Sequence, residues 1–180
     1  MIRAAILCVG LSTAASAESL CGVTDPQVIL GHLSGEWSLT GALSVELETL
    51  SVTQPVTGTA SAQGADLTLQ FPMETEAHTM NLRPAPDRRD VDWVDDILTT
   101  VEQDGIADDL SLTPCGPESL IQFIGSASTE DGRSQITTIL PYFSDAMLMV
   151  QTGEWAGEWG LAFLTGAALM RPSSADIQNP

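Results

Sequence analysis

The chain has 180 residues, of which 24 are acidic and 6 are basic, so its formal net charge is −18 at pH 7. A surface with this charge repels nucleic-acid phosphates and anionic lipid headgroups, which argues against nucleic-acid binding. Hydrophobic residues make up 43% of the sequence, enough for one core, and no apolar run is long enough to span a membrane. We therefore expect a single domain that does not insert into membranes.

The start of the chain has the pattern of a secretory signal peptide. Arg3 supplies a positive charge, residues 4–11 form a short apolar run, and residues 15–17, Ala-Ser-Ala, form a small-x-small cleavage motif. The apolar run is too short for a bilayer, which needs about 20 apolar residues. We therefore expect residues 1–17 to be removed and the protein to be exported, with the bacterial periplasm as its compartment.

A short helix is predicted soon after the expected cleavage site. Asp25 is a favourable N-cap, and Pro26 suits the first helical position because its missing N–H has no partner there in any case. The residues that follow are mostly apolar and lead into Gly35. The sequence therefore predicts one or two helical turns before the first strand.

Most of the remaining chain alternates apolar and polar residues with a period of two, which is typical of strands with one buried face. Leu67, Leu69 and Phe71, for example, alternate with Thr68 and Gln70. About ten short strands suit an antiparallel β-barrel or a sandwich. The predicted strands cover residues 36–40, 43–47, 56–62, 67–71, 74–82, 110–113, 120–128, 133–140, 146–152 and 159–171. We expect them to form one domain over residues 18–171, followed by a disordered tail over residues 172–180.

A second helix is predicted in the middle of the chain. Asp90 can cap a helix over residues 91–103, and Gly105 is a suitable stop. Its apolar positions recur at helical spacing and form one stripe. They are Val91, Val94, Leu98 and Val101.

Two cysteines remain after the expected signal peptide, which contains Cys8. Cys21 and Cys115 would then lie in a compartment where disulfides form and persist. We expect the two to pair and to stabilise the fold by about 4 to 5 kcal/mol at most, since they close a long loop. The alternative is a pair of buried free thiols.

One motif near the start and one residue near the end carry a resemblance to a known family. Gly35-Glu36-Trp37 follows the short helix and opens the first strand, and Arg171 ends the last predicted strand on the face with the bulkier residues, which we expect to point inward. This arrangement resembles the calycin superfamily, the lipocalins and their relatives. The resemblance implies an up-and-down β-barrel closed at one end by Arg171 packed over Trp37, with a small apolar ligand entering from the other end. Another β-barrel or a sandwich is the alternative fold.

Neither metal binding nor catalysis has a specific pattern in the sequence. Met73, His78 and Met80 include ligands that suit Cu(I), but strand alternation turns Met73 to the opposite face, and Met is a common core residue. The acidic residues between positions 87 and 109 lack the spacing of a calcium-binding EF-hand, and a solvated helix face is the preferred interpretation over calcium. No motif places a nucleophile beside His78 or His32. We expect no catalytic residue, no metal site and no cofactor.

Two functional hypotheses follow. The first is a periplasmic binding or carrier protein for a small apolar ligand. The second is a non-catalytic envelope structural or interaction protein with a filled barrel, whose acidic surface meets a basic protein partner. An internal apolar cavity would favour the first, and a packed interior with an exposed apolar patch the second.

Overall fold

The structure, a computed structural model, describes residues 17–47, 50–72, 76–85, 115–128, 133–157 and 160–173. These residues are mainly antiparallel β-strands, which confirms the predicted fold class. Residues 1–16, the helix predicted over residues 91–103, the strand predicted over residues 110–113 and residues 174–180 of the predicted tail lie outside the described residues. The described elements are α1 (Pro26–Leu33), β1 (Gly35–Leu47), β2 (Leu50–Gln63), β3 (Asp66–Gln70), β4 (His78–Asn81), β5 (Arg83–Pro84), a single 3₁₀ turn (Pro117–Ser119), β6 (Phe123–Ser128), β7 (Ser134–Phe143), β8 (Ala146–Gly157) and β9 (Gly160–Pro172).

The strands curl into a nearly closed barrel because one short segment joins the two edges of the sheet. The strand order is β4-β3-β2-β1-β9-β8-β7-β6-β5, and only Leu82 separates β4 from β5 along the chain. β4 pairs with β3 while β5 pairs with β6. The backbone N–H of Leu82 also donates to the carbonyl of Ala65, at 2.7 Å. The first and last strands of the sheet are therefore neighbours in the chain.

Helix α1 forms where the sequence predicts it. The Asp25 side chain accepts a hydrogen bond from the backbone N–H of Gln27 at 2.9 Å, which satisfies one of the free donors of the first turn. Ile29 and Leu33 are almost completely buried in the main core. The chain then turns into β1 at Gly35, whose φ of +131° is a conformation that L-residues with a side chain rarely adopt.

The interior of the barrel is packed at the end near α1. Leu39 on β1 lies opposite Met170 on β9, which lies opposite Met147 on β8, so the three side chains share the inward face. Each is at most 1% exposed. Phe123 and Ile139 join the same cluster from β6 and β7. This half of the barrel forms the main hydrophobic core.

A second buried cluster lies on the outer face of the barrel. Leu148 on β8 pairs with Leu169 on β9, and both are buried although they point away from the interior. Leu120 and the two cysteines pack against this face and cover it. The prediction that the odd-numbered residues of the last strand point inward is therefore wrong. Leu169 is bulky but is buried outside the barrel by another part of the chain, and the even-numbered residues face the interior.

The disulfide between Cys21 and Cys115 holds that cover in place, and its presence confirms the predicted pairing. The two Cα atoms are 6.1 Å apart, and the sequence separation is 94 residues. The adjacent N-terminal segment is fixed to the end of β7, because Leu20 donates its backbone N–H to the carbonyl of Tyr142 at 2.9 Å. The disulfide thus ties the start of the described chain to the barrel wall.

Several strands differ from their predicted bounds. The segments predicted over residues 36–40 and 43–47 form one continuous strand, β1, because Gly41 does not interrupt the pairing with β2 or β9. Residues 153–155, a second Gly-Glu-Trp triplet, lie within β8, which continues to Gly157 opposite Gly160 of β9. Gly64 lies between β2 and β3, and its φ is +61°.

We expect the disulfide to contribute about 2 to 5 kcal/mol to the free energy of unfolding, because it closes a long loop in the unfolded chain. The double variant Cys21→Ser with Cys115→Ser should lower the stability by this amount in equilibrium denaturation with guanidinium chloride. Reduction of the unmodified protein should produce the same loss. Equal stability of the oxidised protein and the double variant would contradict this prediction.

Gly41→Ala should destabilise the barrel by about 2 kcal/mol or more, because overpacking against backbone atoms cannot relax. A Cβ atom at this position would fall on the carbonyl oxygen of Ala167 and 2.5 Å from the Cα of Ala168. Gly31→Ala is the matched control, since it lies in α1 with no atom within 4 Å of the new Cβ. This control should gain about 0.5 to 1 kcal/mol through helix propensity. Thermal unfolding of both variants compares the two effects.

A cavity inside the barrel as the candidate functional site

A cavity of about 450 Å³ occupies the barrel at the end away from α1. Its walls come from β1, β2, β8 and β9 on one side, and from Phe71, His78 and Ala127 on the other. The volume falls in the range of about 300–1,000 Å³ that is usual for small-molecule sites. The cavity is therefore large enough to hold an organic molecule.

The cavity exists because small residues take the inward positions at this level. Gly166 and Ala168 on β9 and Gly153 on β8 line it, whereas Trp37 and Met170 fill the interior nearer α1. Inward positions alternate along a strand, so Gly166 and Ala168 follow one another on the inward face of β9. The even-numbered face of β9 thus contributes to the core near α1 and to the cavity at the other end of the strand.

The walls of the cavity combine apolar side chains with a few polar ones. The apolar surface comes mainly from residues of β1, β2, β8 and β9, with one aromatic ring from the segment after β3. These side chains are Leu43, Val56, Phe71, Met149 and Leu164. Such a mixture suits a largely apolar ligand with one or two polar groups.

Two polar side chains of the cavity lining are largely buried. His78 is 6% exposed and Gln151 is 9% exposed, and both belong to inward positions of their strands. The Nε2 group of Gln151 donates to the Oγ1 atom of buried Thr137, at 3.4 Å. We call His78 and Gln151 the polar floor of the cavity. The other polar lining residues are half-buried or exposed; they are Gln54, Thr57, Arg133, Ser134, Gln135, Thr152 and Glu154.

Beyond the cavity, four strands extend further than their neighbours. In the described part of the chain, β2 has no partner from β3 before Thr59, and β8 has none from β7 after Glu154. On the inward face of this extension, Val52 pairs with Val45, and it is 46% exposed. Leu50, two pairs further out, is 56% exposed. The apolar wall of the cavity therefore continues as an accessible apolar surface.

Trp37 lies at the packed end of the barrel, next to α1. The indole N–H donates to the carbonyl of Leu33 at 2.7 Å, and the ring is 2% exposed. Arg171 lies opposite Ser38 rather than Trp37, so its side chain emerges on the outer face and is exposed. The inward placement predicted for Arg171 is wrong. The reason is the register, because a shift of one residue moves a side chain to the other face.

The other residues considered from the sequence do not assemble into a site. In the described part of the chain, no group of three or more His, Cys, Asp or Glu side chains could hold a metal ion. Met73 and the acidic residues between positions 87 and 109 lie outside the described residues. His32 lies on α1, whereas His78 lies in the polar floor. No helix among the described residues is both long enough and apolar enough to cross a bilayer.

The fold and the site define an antiparallel β-barrel protein with an internal, mainly apolar cavity. Comparisons with protein-family models, with curated proteins and with solved structures found no match to this chain.

Trp37→Phe should lower the free energy of unfolding by about 2 kcal/mol, because the buried carbonyl of Leu33 loses its donor. Arg171→Ala should change it by no more than about 0.5 kcal/mol, since exposed side chains outside the core contribute little. Denaturant unfolding of both variants measures the difference. A loss in Arg171→Ala as large as that in Trp37→Phe would show that the guanidinium does support the closed end.

Proposed function

We propose that the protein is an exported binding or carrier protein for a small, largely apolar ligand. The cavity of about 450 Å³ is the observation that carries this proposal. Burial of an apolar molecule there is favourable by roughly 25 cal/mol per Å² of surface removed from water. Gly166 and Ala168 at consecutive inward positions of β9, together with Gly153 on β8, leave this space open.

The position of the cavity agrees with the calycin-like interpretation. It lies at the end opposite Trp37, where the family resemblance implies that a ligand enters. The barrel is nearly closed and antiparallel, which is consistent with that fold. Membership of the calycin superfamily is part of the proposal and rests on Gly35, Trp37 and this architecture.

The proposed compartment is the periplasm. A disulfide between Cys21 and Cys115 is stable in an oxidising compartment, and the pattern of residues 1–17 fits export. A carrier in this space would keep an apolar molecule away from water between membranes or proteins. The net charge of −18 would keep the carrier itself soluble.

The alternative is an envelope interaction protein that meets a basic partner through its acidic surface. Exposed apolar residues on the outer face of β9 favour it, since Leu161 and Phe163 are 45% and 44% exposed. Such a protein needs no internal space. The cavity therefore makes the carrier the preferred proposal.

Leu164→Trp should weaken ligand binding at least about tenfold, because the larger side chain would occupy the space that the ligand needs. Leu164 points inward and lines the cavity, between Gly153 and Val45 on the neighbouring strands. The neutral apolar dye Nile red serves as the probe in a fluorescence titration. Native mass spectrometry of the protein purified from its own compartment should also show a bound molecule that Leu164→Trp lacks.

Phe163→Trp is the matched control, because the adjacent side chain lies on the outer face and does not line the cavity. Its affinity for Nile red should stay within about twofold of the unmodified protein. Equal weakening by both substitutions would place the dye on the outer surface. Consistently empty protein together with no dye binding would overturn the carrier proposal.

A further inference from the structure

We infer that the ligand is an amphiphile with a neutral hydroxyl group, and that it binds with this group inward, against Gln151 at the polar floor of the cavity. The inference rests on the proposed binding function and specifies the class and the orientation of the ligand. It depends on the state of one buried amide.

Gln151 has hydrogen-bonding capacity that the protein does not use. The residue is nine-tenths buried, and its Nε2 group is bonded to Thr137. Its Oε1 atom has no hydrogen bond within the described part of the chain. Every fully buried side-chain polar atom in that part has a hydrogen-bond partner, so the Oε1 atom is not fully buried. The Oε1 atom is therefore accessible, and the cavity that Gln151 lines is the space that it faces.

An apolar group placed against this amide would leave a polar atom without a partner, which is costly away from water. A ligand hydroxyl removes that cost, because it can donate to Oε1. A hydroxyl thus complements the free acceptor of Gln151, which an alkyl group cannot do.

The charge of the protein disfavours an anionic group at this depth. The net charge of −18 repels anions, and a carboxylate could only accept hydrogen bonds, so it would oppose the Oε1 atom. Among the described lining residues, the only Lys or Arg is Arg133, which is half-buried next to Ser134 at the start of β7. An anionic ligand would therefore place its head near Arg133, away from the floor.

The remaining walls fit the alkyl chain of such a ligand. From Gln151, the inward face leads past Leu43, its neighbour Gln54 and Leu164 to Val45 and Val52 on the strand extension. The surface is apolar along most of this path and stays open at its outer end. An amphiphile bound with its head inward would place its alkyl chain there. Because the outer end is open, the cavity would restrict the length of that chain only weakly.

The test compares octanol, octane and octanoic acid as competitors that displace Nile red from the unmodified protein and from Gln151→Leu. We expect octanol to bind more tightly than octane, and Gln151→Leu to weaken octanol about tenfold while leaving octane unchanged or tighter. Gln63→Leu, an exposed glutamine at the end of β2 that does not line the cavity, is the matched control. Gln151→Met, which keeps the length of the side chain, replaces the leucine variant if that variant fails to fold.

The outcomes separate this inference from the proposed function. If Nile red and all three competitors fail to bind the unmodified protein, the cavity is not a binding site and both proposals fall. If octane binds as tightly as octanol and Gln151→Leu leaves their ratio unchanged, only the hydroxyl inference is overturned. If octanoic acid binds most tightly and Arg133→Gln or Gln135→Leu weakens it, the head lies near the open end and the orientation is overturned.

Discussion

The pairing of β1 with β9 is the constraint on which the rest of the structure depends. It runs antiparallel from Trp37 opposite Pro172 to Leu47 opposite Ala162. The backbones approach so closely at Gly41 that no side chain fits there. This register decides which face of β9 points inward, and so it decides where the barrel is filled and where it is hollow. It joins strands that are far apart in the sequence, which makes the barrel a product of long-range contacts.

The interior is divided into two halves with different roles. Near α1, Trp37 and Met170 fill the barrel, and the indole binds the helix through the carbonyl of Leu33. Further along the same strands, the missing side chains of Gly153 and Gly166 leave space for the cavity. The packed half and its helix supply stability that a hollow half cannot supply, because an empty cavity forfeits the contacts of its lining atoms. A bound apolar molecule would restore part of these contacts, so that binding and stability are linked.

The outer cluster explains how a small barrel can keep part of its interior open. Leu148 and Leu169 are buried outside the barrel, beneath Leu120 and the disulfide between Cys21 and Cys115. Apolar surface buried there contributes to folding without filling the interior. The disulfide adds stability by restricting the unfolded chain. Part of the stabilising apolar burial thus lies on the outer face of the barrel wall rather than at the centre. The centre can therefore stay open for a ligand.

The sequence by itself determined the local features of this protein. The period of two predicted most of the described strands, Asp25 and Pro26 predicted the start of α1, and the presence of only two cysteines beyond the expected signal predicted their pairing. Each of these follows from neighbouring residues or from a simple count. Only the tertiary structure decided which face of β9 is inward, because bulk alone cannot show that another segment covers Leu169 from outside. It alone also brought His78 and Gln151 into one cavity, since they come from different strands whose relative register is set by every pairing between them.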